Sequence, residues 1–348
     1  MKPIGIILDW AIIEGALKGK SNYENLMYYV ESGRRLGMEP IFFHPRLVNF
    51  ATGTVRGYVW QNNRLTPKRV PIPPVMHNRV LSGQAIVRNG IKRLSKHGKL
   101  FNGIVVRNKE AVHRMLWKNA QLQRYLPHTV SFTRQAFIDM LGKYRVLYVK
   151  PVVGSVGIGV ARIERDGDRY RFTSSKIRKV LTKPELIAET MRWVKGRRFI
   201  IQEAIALAKY KGQTFDLRVS VQKGESRQWG VSGMVCKVAN SQNKLSNLSR
   251  GGQAEPIDEV FATLFTKEQA EHVKERIRMA AIAIAKQYER NFRSLADLGM
   301  DMGVDLHGNP YLIEVNVRDQ RYSFFKAGEL EMFKRTYHTP MAYARTFY

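Results

Sequence analysis

One stretch constrains the chain more than any other: Gly299 to Arg321, GMDMGVDLHGNPYLIEVNVRDQR. Apolar and polar residues alternate on both sides of His307-Gly308, and a glycine-containing pair between extended runs signals a tight β-hairpin. With His307 and Gly308 as the central turn residues, Leu306 faces Asn309 and Asp301 faces Glu314. Side chains alternate faces along a strand, so Asn316 projects on the same side as Glu314. Like charges directly opposed in a sheet repel, and a cation between them resolves the conflict. Two carboxylates and an amide oxygen are hard donors that suit Mg²⁺ better than zinc. Read alone, the stretch is also compatible with a surface hairpin carrying scattered acids. Against that, Glu314 sits inside the apolar run Tyr311 to Val315, where an unpaired charge is costly. Asp305 lies nearer the turn and is read as a turn residue.

A chain of 348 residues supports two or three compact lobes. No uninterrupted apolar run approaches the roughly 18 residues needed to span a bilayer, and the start, MKPIGIILDW, lacks a signal-peptide layout. The expectation is a soluble intracellular protein. The single cysteine, Cys236, excludes an internal disulfide framework and a cysteine-based zinc site. The net charge of +29 predicts attraction to polyanions such as nucleic acid, an anionic surface or an acidic peptide. The basic residues are spread along the chain with no nucleic-acid signature, so the charge speaks about partners and not about chemistry.

The N-terminal lobe reads as α/β. Residues 3 to 8 form a buried strand ending at Asp9, followed by a loop. Ser21-Asn22-Tyr23-Glu24 is a capping box opening a helix to Leu36, closed by Gly37, and Glu39 to Phe43 is the next strand. Strand, helix, strand implies a parallel sheet. Val55 to Val70 reads as a hairpin. The acid-free run Arg88 to Lys99 reads as a solvated helix face, with an anion-binding patch as the alternative. A boundary follows near Leu100.

Lys109 to Arg124 and Thr133 to Tyr144 are helix-like. Then Val146 to Val149 is a β-rich run that delivers Lys150 to a glycine-punctuated loop containing Gly154, Ser155, Gly157 and Gly159. Glycines let successive backbone N–H groups approach phosphate oxygens, and a strand lysine adds charge to the same place. The lysine precedes the glycines, which excludes a Walker A loop. A glycine-rich hairpin with a structural lysine fits this stretch equally well. Pro184 to Val194 is a helix. Phe199 to Ile205 is a buried strand whose end suits the edge of a flat, apolar nucleotide-base pocket. In Thr214 to Gln222, Asp216 and Arg218 share a face, with Gln228 to Val238 as the antiparallel partner. Ser246 to Gly252, SNLSRGG, presents Arg250. Val273 to Tyr288 is a packing stripe.

Taken in order, PPVMHNRV, RNKEAVHRML, VLYVKPVVGSVGIGV, FIIQEAIAL, TFDLRVSVQ, NLSRGG and LGMDMGVDLHGNPYLIEVN resemble the ATP-grasp superfamily, and within it the endospore coat-associated YheC/YheD family. The resemblance covers nearly the whole chain. It implies a mixed α/β and α+β architecture: an ATP-grasp fold of two α+β subdomains clasping ATP, preceded by a small α/β domain. The expected division is residues 1–100 and 101–348, with a lid at about 145–200 and a metal-binding part at 201–348. It implies that Lys109 and Lys150 bind the nucleotide phosphates, that Gly154 to Gly159 is the lid, and that Gln202, Glu203 and Ile205 form the adenine hinge. Asp301, Glu314 and Asn316 match Mg²⁺ ligands. Arg218 and Arg250 take the catalytic arginine positions, and Asp216, Asn247, Gly251, Gly252 and Arg318 the substrate-binding ones. Two departures stand out. Asp319-Gln320 replaces the usual proline-glycine after the metal asparagine, and Lys237 holds a position where an arginine is often found. A lysine is a point charge without the bidentate fork.

The implied activity is ATP- and Mg²⁺-dependent carboxylate–amine ligation through an acyl phosphate, with an acidic peptide or spore-coat protein as substrate, on the mother-cell side of a forming spore. A non-catalytic basic coat protein and a nucleic-acid-binding protein are the rivals. The sparse aromatics among the basic runs argue against the latter.

Overall fold

The computed structural model describes residues 1–20, 23–104, 108–154, 158–239 and 251–348. The described residues form a mixed α/β arrangement with three sheets. Its compact units do not follow chain order: residues 1–105, 209–302 and 315–348 form one, and residues 106–208 and 303–314 the other.

The first unit opens with the expected parallel arrangement. Lys2–Ile7 pairs in parallel with both Met38–Phe43 and Val75–Asn78. Leu26–Leu36 crosses between the first two strands and ends at Gly37, whose φ of 67° is the left-handed conformation a helix C-terminus favours. The start of this helix differs from expectation. Ser21 and Asn22 lie outside the described residues, and the cap is Asn25, whose side chain accepts from Met27 N at 3.0 Å. An additional helix, Trp10–Leu17, occupies the segment expected to be a loop. Thr54–Gln61 and Arg64–Pro71 form the expected hairpin. The basic run Arg88 to Lys99 divides between a helix, Ala85–Leu94, and a strand, Lys99–Phe101.

The second sheet of this unit is built on Gln213–Lys223, which pairs antiparallel with Trp229–Val238 on one side and Asp297–Val304 on the other. The C-terminal helix Leu330–Arg345 shares one core with the N-terminal strands. Phe333, Tyr337 and Met341 pack with Ile4, Tyr29, Phe42 and Phe101. A polar knot is buried alongside. Asp297 accepts from Arg79 Nη1 at 2.9 Å and Gln222 Nε2 at 2.8 Å, and also from Arg321. Burial alone would raise this carboxyl, but the two guanidinium groups hold it well below the usual carboxylate range.

The second unit is centred on a six-stranded sheet. From one edge, its strands are Arg178–Leu181, Arg169–Ser174, Ala161–Asp166, Val146–Pro151, Phe199–Glu203 and Thr129–Ser131. One face packs on the helices Arg134–Lys143 and Lys183–Val194. Leu147, Val149, Ala161, Ile163, Phe172 and Ile201 meet Phe137, Met140 and Leu186 there. The single helix expected over 109–124 is two, Lys109–Trp117 and Ala120–Gln123, because Asn119 caps a fresh start by accepting from Gln121 N at 3.1 Å. No helix among the described residues is long and apolar enough to cross a membrane.

The turn at residues 305–309 corrects the sequence expectation. Gly308 N donates to Asp305 O at 3.0 Å, so Leu306 and His307 are the central pair, and Gly308 follows with φ 71°. Asp305 N donates to Asn309 O at 3.2 Å, while its carboxylate accepts from His307 N and Asn309 N at 2.9 and 2.8 Å. A two-residue turn followed by a left-handed glycine is a bulged connection, one residue out of step with the simple turn expected. Further along Pro310–Asn316, Leu312 and Val315 are buried while Ile313 is 41% exposed, so the strict two-residue alternation is interrupted there.

Candidate functional site

In the second unit, Lys109 opens its helix because Asn108 caps it, accepting from Ala111 N at 2.9 Å. This cap fixes where the lysine side chain starts, and its ammonium reaches Glu314 Oε1 at 2.9 Å and Gly154 O at 2.8 Å. Lys150 emerges from the strand Val146–Pro151, half-buried, and donates to Gln202 Oε1. Gln202 Nε2 in turn donates to Thr129 Oγ1 at 2.9 Å, so the lysine is aimed by a neighbour that is itself held. The Lys150 ammonium also lies 5.0 Å from the centre of the Tyr148 ring. Its pKa falls to about 8, first through burial and then through the Lys109 charge, with Glu314 acting in the opposite sense. The Lys109 charge thus adds to the cost of charging Lys150, and Glu314, bonded to Lys109, offsets part of it. Such an arrangement favours an incoming polyanion.

Glu203 and Ile205 belong to the same segment. Glu203 Oε1 accepts from His128 N at 2.7 Å, its own N donates to His128 O at 3.0 Å, and Ile205 O accepts from Leu207 N at 2.9 Å. Gly159 has φ 75°, a conformation that glycine adopts without strain. Ser155 and Gly157 lie outside the described residues.

In the first unit, Arg218 projects from Gln213–Lys223 directly across from Asp301, and its Nε donates to Asp301 Oδ1 at 3.0 Å. Its Nη1 reaches Asp319 Oδ1 at 3.3 Å and Gln320 O at 3.1 Å. Lys237, on the opposite neighbour strand, places its ammonium 2.8 Å from Asp301 Oδ1 and 2.6 Å from Asp216 Oδ1. Burial opposes ionisation of Asp301, yet Arg218 and Lys237 hold its carboxyl well below the usual range. Asp319 is fully buried and also accepts from Ser220 Oγ. Its pKa is raised, mainly by burial, against the pull of Arg218. A Cβ on Gly299 would stand 2.4 Å from Asp319 Oδ1, so the glycine makes room for the aspartate.

Arg318 is buried and turns its Nε to Val80 O at 3.2 Å and its Nη1 to Val317 O at 2.7 Å. Asn316 is half-buried at the end of Pro310–Asn316. Gly251, with φ 87°, and Gly252 lead into Gln253–Pro256. Asn247 and Arg250 lie outside the described residues. Sequence reasoning did not single out Ser220, Thr129 or Tyr148. A polar residue inside an otherwise apolar strand run was the available signal for Ser220.

Residues 97–347 match the model of the YheC/D like ATP-grasp family. The chain belongs to that family. This member of the YheC/D like ATP-grasp family is 26% identical over 298 residues to the endospore coat-associated protein YheD of Bacillus subtilis, covering 81% of this chain and 64% of the relative. The chain thus spans just under two thirds of that relative's length. Among solved structures it resembles D-cycloserine synthetase DcsG, with TM-score 0.56, 13% identity and 98% of each chain covered. It also resembles a RiPP-associated ATP-grasp ligase from Chryseobacterium gregarium, solved with ADP and a leader and core peptide. That likeness has TM-score 0.52 and 13% identity, and covers 98% of this chain and 96% of the other. At these identities the structures establish the ATP-grasp fold.

Proposed function

We propose that this protein is an ATP- and Mg²⁺-dependent carboxylate–amine ligase that extends an acidic peptide or a spore-coat protein by amide formation. The observation that carries this reading is that Lys109, bonded to Glu314, and Lys150, bonded to Gln202, act electrostatically on one another. Two like charges are held together in one unit, and the pKa of one is depressed to about 8. Structural surface lysines have no reason to be kept at that cost, whereas a triphosphate relieves it.

In the proposed reaction a carboxylate oxygen of the acceptor attacks the γ-phosphorus of ATP, and the bond to the β-phosphate bridging oxygen breaks, releasing ADP. The amine nitrogen then attacks the acyl carbon. The carbon–oxygen bond to phosphate breaks, inorganic phosphate leaves, and the nitrogen loses a proton. Lys109 and Lys150 bind the phosphates, with Gln202 orienting Lys150. Arg218 takes the catalytic arginine role that the family resemblance implies, offering a guanidinium to charge that develops on a transferring phosphoryl group.

Asp301, Glu314 and Asn316 are the residues that would hold Mg²⁺ if the family resemblance carries over, and their oxygen donors suit a hard cation. Both carboxylates draw cationic side chains, Arg218 and Lys237 to Asp301 and Lys109 to Glu314, the kind of partner a metal ion would replace. When bound, Mg²⁺ would neutralise phosphate charge and orient the leaving group. Spore-coat association is suggested by the name of the YheD relative, and a peptide acceptor by the leader and core peptide in the RiPP-associated ligase.

The test is ADP release, measured with a panel of acidic peptides as acceptors and amino acids as amine donors. Mg²⁺-dependent turnover with at least one pair supports the ligase, with loss of at least a hundredfold in Lys150→Ala. No turnover across the panel, together with unchanged nucleotide binding in Lys150→Ala, contradicts it.

A further inference from the structure

The sheet of the second unit carries a lateral row that crosses all six strands. The pairing runs Thr129 to Gln202, Gln202 to Tyr148, Tyr148 to Arg162, Arg162 to Thr173, and Thr173 to Arg178. Directly paired residues point to the same side, so these six side chains share one face. It is the face opposite the packed one, since Val149, Ala161 and Phe172 on the alternate positions enter the core. Lys150, two positions beyond Tyr148 on the same strand, shares it too.

The row is chemically graded. At its inner end stand Gln202 and Tyr148, which hold or flank Lys150. At its outer end stands Arg178, exposed on the edge strand Arg178–Leu181. Neighbouring strands are about 4.8 Å apart, so three steps carry the row roughly 14 Å from Tyr148 to the edge. Every side chain along it is a hydrogen-bond donor or a cation. The next rows on the same face add Arg171, 52% exposed, and two acids, Glu164 engaged by Arg162 at 2.7 Å and Asp166 engaged by Arg171 at 2.6 Å.

We propose that this row is a docking track for an acidic peptide, laid across the strands from the exposed edge toward Lys150. This rests on reading the Lys150 and Gln202 group as the nucleotide-phosphate site, and it adds where the acidic substrate runs. Charge complementarity selects the occupant. Cations spaced by roughly two strand separations, about 10 Å, suit carboxylates distributed along an extended chain. The alternative for an edge arginine is defence against strand pairing, which needs a charge at Arg178 but no aligned row behind it.

The test is fluorescence anisotropy with fluorescein-labelled octa-glutamate on the full chain, together with Mg·ADP calorimetry on the same proteins. Arg162→Gln/Arg178→Gln is expected to weaken octa-glutamate about tenfold and to leave ADP affinity unchanged. Lys92→Gln/Lys96→Gln, the same charge change in the first unit, is expected to weaken it less than twofold. Equal losses in both pairs would overturn the track in favour of bulk charge. So would the absence of octa-glutamate binding to the unmodified protein, or loss of ADP binding in the row variant. An oligothymidylate of equal charge that bound more tightly, and lost as much in the row variant, would overturn the peptide assignment. Failure of the unmodified protein to bind Mg·ADP would count against the nucleotide reading itself and is read separately from the anisotropy.

Discussion

Gly299→Ala tests how the departure at Asp319 was accommodated. The added Cβ would stand 2.4 Å from Asp319 Oδ1, a separation that real Cβ atoms essentially never show, and 3.0 Å from Asp319 Cα, tighter than nine in ten real Cβ contacts. Moving only the carboxylate is not enough, because the second contact is backbone. Displacement also disturbs the bonds from Arg218 Nη1 and Ser220 Oγ to a fully buried group. Overpacking costs about 1–3 kcal/mol, and a hydrogen bond to a charged group contributes about 1.5–3 kcal/mol. We expect a loss of about 4 kcal/mol, read from the shift of the urea midpoint at constant slope. In an Asp319→Gly background, where the carboxylate is gone, the same alanine should cost only about 1 kcal/mol, giving a coupling of about 3 kcal/mol. A cost under about 0.5 kcal/mol for Gly299→Ala, or equal costs in both backgrounds, would refute the reasoning.

Titration of the Lys150 ammonium by NMR in the nucleotide-free protein should centre near pH 8. The midpoint should rise in Lys109→Ala, which removes a like charge, and fall in Glu314→Gln, which removes the opposite one. ADP binding should weaken as pH climbs through that value and the positive charge is lost. His77 is fully buried, its Nε2 3.2 Å from Asp297 Oδ2, and burial pushes its pKa down to about 3. The unfolded chain takes up this proton below its ordinary value of 6.5 and the folded chain does not until about 3, so stability should fall as pH drops across that window. The loss should reach roughly 3 kcal/mol by pH 4 and be absent in His77→Asn, as read from urea midpoints against pH. Lys237→Met leaves Asp216 and Asp301 without their shared ammonium. It should destabilise by about 3 kcal/mol in urea unfolding at neutral pH, and raise the Asp301 pKa.

Much of the candidate site was legible because chemistry stands out against an apolar strand. Asp301, Glu314 and Lys150 each interrupt a run that would otherwise be buried, and an ionised group there needs a reason. Family resemblance then supplied roles that spacing alone could not. What the sequence hid was geometry over distance. The turn read as His307-Gly308 is centred one residue earlier, because Gly308 serves as the left-handed bulge residue and not as half of the turn. The edge strand Arg178–Leu181 escaped notice because Arg178 and Lys179 break the apolar alternation that marks a strand. Trp10–Leu17 falls in a segment expected to be a loop, since it is short and Gly15 weakens its helical signal. Nothing in the sequence around Lys237 shows that its ammonium bridges two carboxylates from neighbouring strands. The discontinuous make-up of both units follows from strand pairing between distant segments, and chain order does not reveal it.

On the proposed function, Lys109, Lys150 and Glu314 serve one magnesium nucleotide. Calorimetry of ADP with and without Mg²⁺, on the unmodified protein, Lys150→Ala and Glu314→Gln, tests it most directly. Mg²⁺-enhanced binding is expected, falling at least tenfold in Lys150→Ala and losing its Mg²⁺ enhancement in Glu314→Gln. Binding that ignores Mg²⁺, or that both substitutions leave unchanged, would contradict it.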